Sequence, residues 1–177
     1  MTNHTPFYDL HVAAHGKMVD FAGWMMPLHY GSQIEEHRQV RQHVGCFDVS
    51  HMGVIDLAGE EATAFLAHLL ANDVGRLHEG KALYTCMLNE AGGVIDDLIV
   101  YKISEQHYRI VVNAGTREKD VAWMQAQLGA YHATLTERRD LAMLALQGPD
   151  IVATLPLCIP EDLAEQALQL KPFHFVT

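Results

Sequence analysis

The chain has 177 residues, 49% apolar and 19% charged, and its 22 acidic side chains outnumber the 12 basic ones to give a formal net charge of −10. A surface of that sign repels phosphate backbones, and no apolar run reaches the ~18 residues a membrane span needs, so neither a nucleic-acid partner nor a membrane partner is expected. Cys46, Cys86 and Cys158 are dispersed with no CxxC spacing, and the N-terminus lacks a basic segment followed by an apolar block; both features point to reduced thiols in a cytoplasmic protein.

In chain order, residues 1–50 carry a helix or two and the aromatic and Met-rich run "FAGWMMPLHYG", Phe21 to Gly31, which is more often core packing than a ligand box. "SQIEEHRQVRQH", residues 32–43, opens on Ser32 with Glu35 three residues later, the spacing of a capping box, and so predicts a helix. "GVIDLAG" reads as a strand. The following "GEEATAFLAHLL" places Ala62, Phe65, Leu66, Leu69 and Leu70 on one helical face. Three strand-like runs come next, Ala82 to Asn89, Val94 to Ile103 and Tyr108 to Asn113, the first two joined through Gly92-Gly93 as a hairpin. A second amphipathic helix has Arg117, Val121, Met124 and Leu128 in register, and Ala133 to Glu137 forms a closing strand.

Strand, helix, three strands, helix and strand make an α+β fold, a split βαβ (ferredoxin-like) module with an extra strand over residues 51–139. Residues 1–50 and 140–177, the latter with a strand at "LAMLALQG", a helix opened by "GPD" and a strand-like "KPFHFVT", form a second, incomplete α+β domain into which the module is inserted.

Within "NEAGGVIDDLIVY", Asn89 to Tyr101, an extended chain puts Ile95, Asp97, Ile99 and Tyr101 on one face and Val94, Asp96, Leu98 and Val100 on the other. No register hides both carboxylates on a wet face, so at least one sits among apolar side chains and needs a partner. Three readings stay open at this level. The pair can lie at an edge or bond backbone amides; it can bind Mg²⁺ or Ca²⁺, although the sequence neighbours are aliphatic; or one carboxylate can orient an amine or N–H of a ligand from an apolar pocket. His11 and His15 are four apart but lack the glutamate of HExxH and a third ligand, so no metal is expected. Asn113, between a strand and a helix, has an N-cap as its default role. Nucleophile-elbow and phosphate-loop patterns are absent from the sequence.

The stretches "MVDFAGWMMPLHYGSQIEEH", "FDVSHMG", "GKALYTCMLNEAGGVIDDLIVY" and "VVNAGTREKD" together resemble the aminomethyltransferase, or T-protein, family of the glycine cleavage system, in order from about Thr5 to Thr177. The resemblance implies three domains around a folate channel, of which this chain matches the first half. It implies tetrahydrofolate as cofactor, the lipoylated H-protein as partner, and transfer of a methylene group from the H-protein's aminomethyl-lipoyl arm to tetrahydrofolate with release of ammonia. It assigns Asp97 as the catalytic carboxylate facing folate N10, and Met52, Tyr84, Asp97, Tyr101, Val111 and Asn113 as cofactor-binding, with Asp96 structural.

The family's Gly-Tyr-Thr-Gly-Glu segment, whose glutamate grips the pterin, has no counterpart before Thr177. The chain is therefore expected to act as the N-terminal part of the enzyme. The alternatives are a non-catalytic folate-binding module and a piece that only docks the H-protein. As a fragment it is expected to self-associate through apolar surface around Trp24, Met25, Met26 and Leu144.

Overall fold

A two-residue turn with positive φ at both positions, Ala22 (51°) and Gly23 (80°), sets the first hairpin of the chain. The structure, a computed structural model, describes residues 2–129 and 131–177. In order the elements are β1 (Asn3–His4), α1 (Tyr8–Ala13), β2 (Met18–Phe21), β3 (Trp24–Pro27), α2 (Gln33–Gln42), β4 (Gly45–Asp48), β5 (Gly53–Ala58), α3 (Ala62–Leu69), β6 (Ala82–Leu88), β7 (Val94–Ser104), β8 (His107–Val112), α4 (Arg117–Leu128), β9 (Thr134–Glu137), β10 (Leu144–Gln147), α5 (Ile151–Cys158) and α6 (Glu161–Leu168). The fold is α+β.

The chain divides into two compact units, Met1–His51 with Leu141–Gln169, and Met52–Asp140 with Leu170–Thr177. The last eight residues thus belong with the second unit, whereas the sequence reading gave them to the first. Their "KPFHFVT" pattern does not extend into a strand. It makes a single bridge, Lys81 to His174, with the Ala82 amide donating to Phe173 (2.8 Å) and the Phe175 amide to Gly80 (2.9 Å).

In the first unit a three-stranded sheet has the order β1-β3-β2, and β4 pairs antiparallel with β10. Half of the predicted capping box forms in α2. The Glu35 amide donates to Ser32 Oγ (3.3 Å), but the Glu35 carboxylate turns outward to Arg38 (2.7 Å). The expected apolar patch is only partly exposed: Met26 is buried and Trp24 and Met25 are half-buried, because β3 is flanked by strands on both sides, while Leu144 is exposed.

In the second unit five strands form one antiparallel sheet in the order β6-β7-β8-β5-β9. The odd-even alternation of side chains divides the sheet into two different faces. One carries Ile55, Leu57, Leu98, Val100, Tyr108, Ile110 and Val112, which pack with Phe65, Leu66 and Leu69 of α3 and Met124 of α4. Phe65 and Leu66 are fully buried, a gain of about 1.5–3 kcal/mol for each such side chain. The β6-β7 hairpin closes through Gly92 at φ 79°, the Asn89 amide donating to Gly93 O (2.8 Å) and the Gly93 amide to Asn89 Oδ1 (2.8 Å). The opposite face carries the candidate site.

Candidate functional site

Register decides which side chains meet on that face. Tyr84 of β6 pairs with Ile99 of β7, and Ile99 pairs in turn with Val111 of β8, while Tyr101 lies between Ala82 and Arg109. Residues opposite one another across a sheet share a face, so Tyr84, Asp97, Tyr101 and Val111 all lie on the side away from α3 and α4. Asp97 is diagonal to Tyr84, and the Tyr84 hydroxyl donates to Asp97 Oδ2 (2.8 Å). That hydrogen bond, with the charge of Asp97 behind it, raises the Tyr84 phenol above its ordinary range. Among the described residues no Lys, Arg or His forms an ion pair with Asp97. Its charge is left to neutral donors on a half-buried surface.

Asn113, just past β8, turns its amide under the aspartate pair. Nδ2 reaches Asp96 Oδ1 (3.1 Å), Asp97 O (3.1 Å) and, at the limit of reach, Asp97 Oδ1 (3.5 Å). The N-cap expected of Asn113 is not made. Thr116 holds that position for α4, and its own hydroxyl goes to Asp96 Oδ2 (2.5 Å) rather than to the helix. Burial alone would raise the Asp96 carboxyl, but the donors Thr116, Asp120 and Asn113 and the Asp97 amide outweigh it and hold the carboxyl low.

Tyr101 is raised by burial, and its ring meets that of Phe175 edge-on (5.4 Å between centroids, 76°). Val111 is buried. Met52 stands immediately before β5, whose Gly53 pairs with Val112, and no hydrogen bond joins it to the other five among the described residues. Five of the six residues therefore sit on or beside one patch of sheet, and Met52 lies at its border.

Farther along the same face, Asp56 of β5 pairs with Arg109 through two bonds (2.8 and 3.0 Å) and with Arg138 (2.6 Å). Its burial favours the neutral acid, yet the two guanidiniums hold the carboxyl below the usual range. Sequence reading missed this cluster, Asp120 and the Phe175 contact. Asp120 left a usable signal: it lies three residues after Arg117 and four before Met124, on the inward stripe of α4.

The first unit has a polar network of its own. Asp48 accepts from Thr5 Oγ1 (2.5 Å) and the Ser50 amide (2.9 Å), and lies 3.0 Å from His11 Nε2, while His11 Nδ1 lies 2.6 Å from the Tyr30 hydroxyl. A carboxylate only accepts, so His11 Nε2 carries the proton and Nδ1 accepts from Tyr30. His11, from the His11/His15 pair, is thus a hydrogen-bonded core histidine. Among the described residues no three His, Cys, Asp or Glu side chains are placed to hold a metal ion, and no helix is long and apolar enough to cross a membrane.

Comparison with known proteins gives the family. Residues 7–177 match the family model described as the GCVT N-terminal domain. The chain is 52% identical over 171 residues to an aminomethyltransferase of Francisella tularensis subsp. tularensis (strain WY96-3418), covering 97% of this chain and 48% of that protein. It is 51% identical over the same length to an aminomethyltransferase of Francisella philomiragia subsp. philomiragia. The crystal structure of the glycine cleavage system aminomethyltransferase T from Bartonella henselae superposes with a TM-score of 0.90 at 34% identity, over 98% of this chain and 47% of that one. The chain spans about half the length of the relatives it matches, and it belongs to the GCVT N-terminal domain family of the glycine cleavage aminomethyltransferases.

Proposed function

We propose that this chain supplies the tetrahydrofolate-facing sheet of a glycine cleavage aminomethyltransferase, which moves the methylene of an aminomethyl group on the lipoylated H-protein to tetrahydrofolate and releases ammonia. One observation carries the reading. Among the described residues Asp97 is a carboxylate with no cationic partner, held by Tyr84 and Asn113 between aromatic and aliphatic side chains on the sheet face away from α3 and α4. Such a patch suits a flat aromatic body bearing an N–H, the form of the p-aminobenzoyl part of a folate.

When bound, tetrahydrofolate supplies the nucleophilic nitrogens. The chain's own residues orient and balance charge. Asp97 would accept a hydrogen bond from the folate N10–H and would offer a fixed negative charge where positive charge develops during transfer, and Tyr84 holds the carboxylate in place so that little reorganisation would be needed. Tyr101, Val111 and Met52 provide apolar contact that keeps water away, and Asn113 fixes the backbone and side chain of Asp97 from below. The family membership supports docking of the lipoylated H-protein and a cytoplasmic setting.

The test is calorimetric titration of tetrahydrofolate into the chain and into Tyr101→Ala and Asp97→Ala variants. Saturable binding weakened at least about tenfold in both is expected, as for loss of a stacking surface or a charged acceptor worth ~1.5 kcal/mol or more. Affinity unchanged by both substitutions would move the ligand elsewhere.

A further inference from the structure

Asp120 lies on α4 with its carboxyl fully enclosed, and neither oxygen meets a donor. The polar side chains of Asp96 of β7 and Thr116 lie against it. The single hydroxyl proton of Thr116 is given to Asp96 Oδ2 at 2.5 Å, which leaves none for Asp120. An oxygen of Asp96 only accepts. The Asp96–Asp120 contact therefore becomes a hydrogen bond only when a proton lies between the two carboxyls, and ionising the second carboxyl beside the first is disfavoured.

The proton's place is set by the surroundings. Asp96 has Asn113 and Thr116 as further donors, which favour its charge, whereas Asp120 has only the proximity of the Thr116 hydroxyl, already given to Asp96, against the rise, and is pushed up to about 7, by burial first and by Asp96 next. Lys119, on the same helix, acts against that rise, with its ammonium donating to Ile95 O (2.8 Å). Asp97, the next residue on β7, points to the other face of the sheet. Protonated Asp120 thus donates to Asp96, Asp96 holds Asn113 Nδ2, and the same Nδ2 reaches Asp97 O and Oδ1 (3.1 and 3.5 Å).

We propose that Asp120 is a positioning residue for Asp97: the proton it shares with Asp96 clamps Asn113 beneath the catalytic carboxylate, and losing that proton unclamps the site. The inference rests on the proposed folate reading of the Asp97 face. Loss of the proton places two like charges side by side in the interior, drives Asp96 from its position and frees Asn113. Folate binding on the outer face then weakens as pH rises through neutrality, without any change in the residues that touch the ligand.

The experiment follows the side-chain carboxyl carbons of Asp96, Asp97 and Asp120 and the Asn113 side-chain amide by NMR from pH 5 to 9, and measures the tetrahydrofolate Kd at pH 6 and 8.5. Wild type, Asp120→Asn and Asp120→Leu are compared. Asn keeps a permanent donor toward Asp96, whereas Leu has none.

The proposal requires Asp120 to titrate near neutrality, the Asn113 amide to move with the same midpoint, and that movement to vanish in Asp120→Asn. Wild-type affinity should fall about tenfold between the two pH values, within the usual span of coupling between sites, and stay flat in Asp120→Asn. If Asp120→Leu folds, its affinity should be low at both. An Asp120 carboxyl titrating like an exposed one, an Asn113 amide indifferent to it, or an identical pH profile in Asp120→Asn overturns the proposal. If wild type shows no saturable binding at either pH, the folate reading fails, and the NMR titration still decides whether the shared proton exists.

Discussion

Replacing Asp120 by Asn should stabilise the second unit at alkaline pH and leave it nearly unchanged at acid pH. A folded-state value of about 7 against an ordinary 3.8 means that the folded unit binds more protons than the unfolded chain between those values. The carboxyl's favourable contribution is complete below its ordinary value and is lost as pH rises through about 7. At ~1.4 kcal/mol for each tenfold change, the difference between 3.8 and about 7 sets an upper bound of ~4 kcal/mol on the cost at pH 8 or above. Water and local relaxation reduce this, so a gain of roughly 1–3 kcal/mol is expected for Asp120→Asn at pH 8. Asp48, Asp56 and Glu137 are held low and give the opposite pH slope. Their effects cancel in the difference between variant and wild type.

The assay is denaturant unfolding at pH 5 and pH 8 in a Trp24→Phe background. There Trp123 of α4, whose indole N–H donates to Leu88 O (3.2 Å), reports on the second unit alone. A stability difference that does not change with pH, or one that grows toward acid, would refute the reasoning.

Tyr84→Phe removes the hydroxyl that holds Asp97 and should weaken tetrahydrofolate binding several-fold while leaving the unfolding midpoint unmoved, because Tyr84 is half exposed; parallel calorimetry and thermal melts check this. Asp56→Ala leaves Arg109 and Arg138 facing each other without their shared anion and should cost ~2–3 kcal/mol by denaturant titration, whereas Asp56→Asn, which keeps an acceptor, should cost less. Gly59→Ala places a Cβ 2.3 Å from the His132 carbonyl oxygen at a φ of +148°, and should lower the melting temperature by several degrees as read by circular dichroism.

The alternation of helical and strand periods from Val54 to Glu137 was legible because each element has one consistent apolar stripe, as in α3, where Ala62, Phe65, Leu66 and Leu69 are buried, as is Leu70 immediately after it. The Asn89–Gly93 turn was legible because Gly92 needs positive φ. The β2-β3 hairpin was not, since Ala22 is an unusual residue for φ 51° and gives no turn signal. The polar requirement of the aspartate pair was visible in the sequence, but its partners were not. Which residue faces Asp97 depends on the β6-β7 register, which shifts between Met87 and Leu88, and a slip of one residue would send every side chain to the other face. Asn113 shows the same limit: its strand-end position suggests a cap, and only long-range pairing brings it under Asp96 and Asp97.

The central claim is that the charge of Asp97, rather than its shape, serves the transfer. It is tested by joining this chain to the C-terminal half of the Francisella tularensis relative and measuring kcat and tetrahydrofolate Kd for Asp97→Asn and Asp96→Asn in the aminomethyl-transfer assay with lipoylated H-protein. The account predicts that Asp97→Asn loses roughly 10²-fold or more in kcat with a much smaller change in Kd, the pattern of a lost preorganised charge, while Asp96→Asn retains most of its turnover. Near-full turnover in Asp97→Asn, or a folded Asp96→Asn that is the crippled variant, would contradict it.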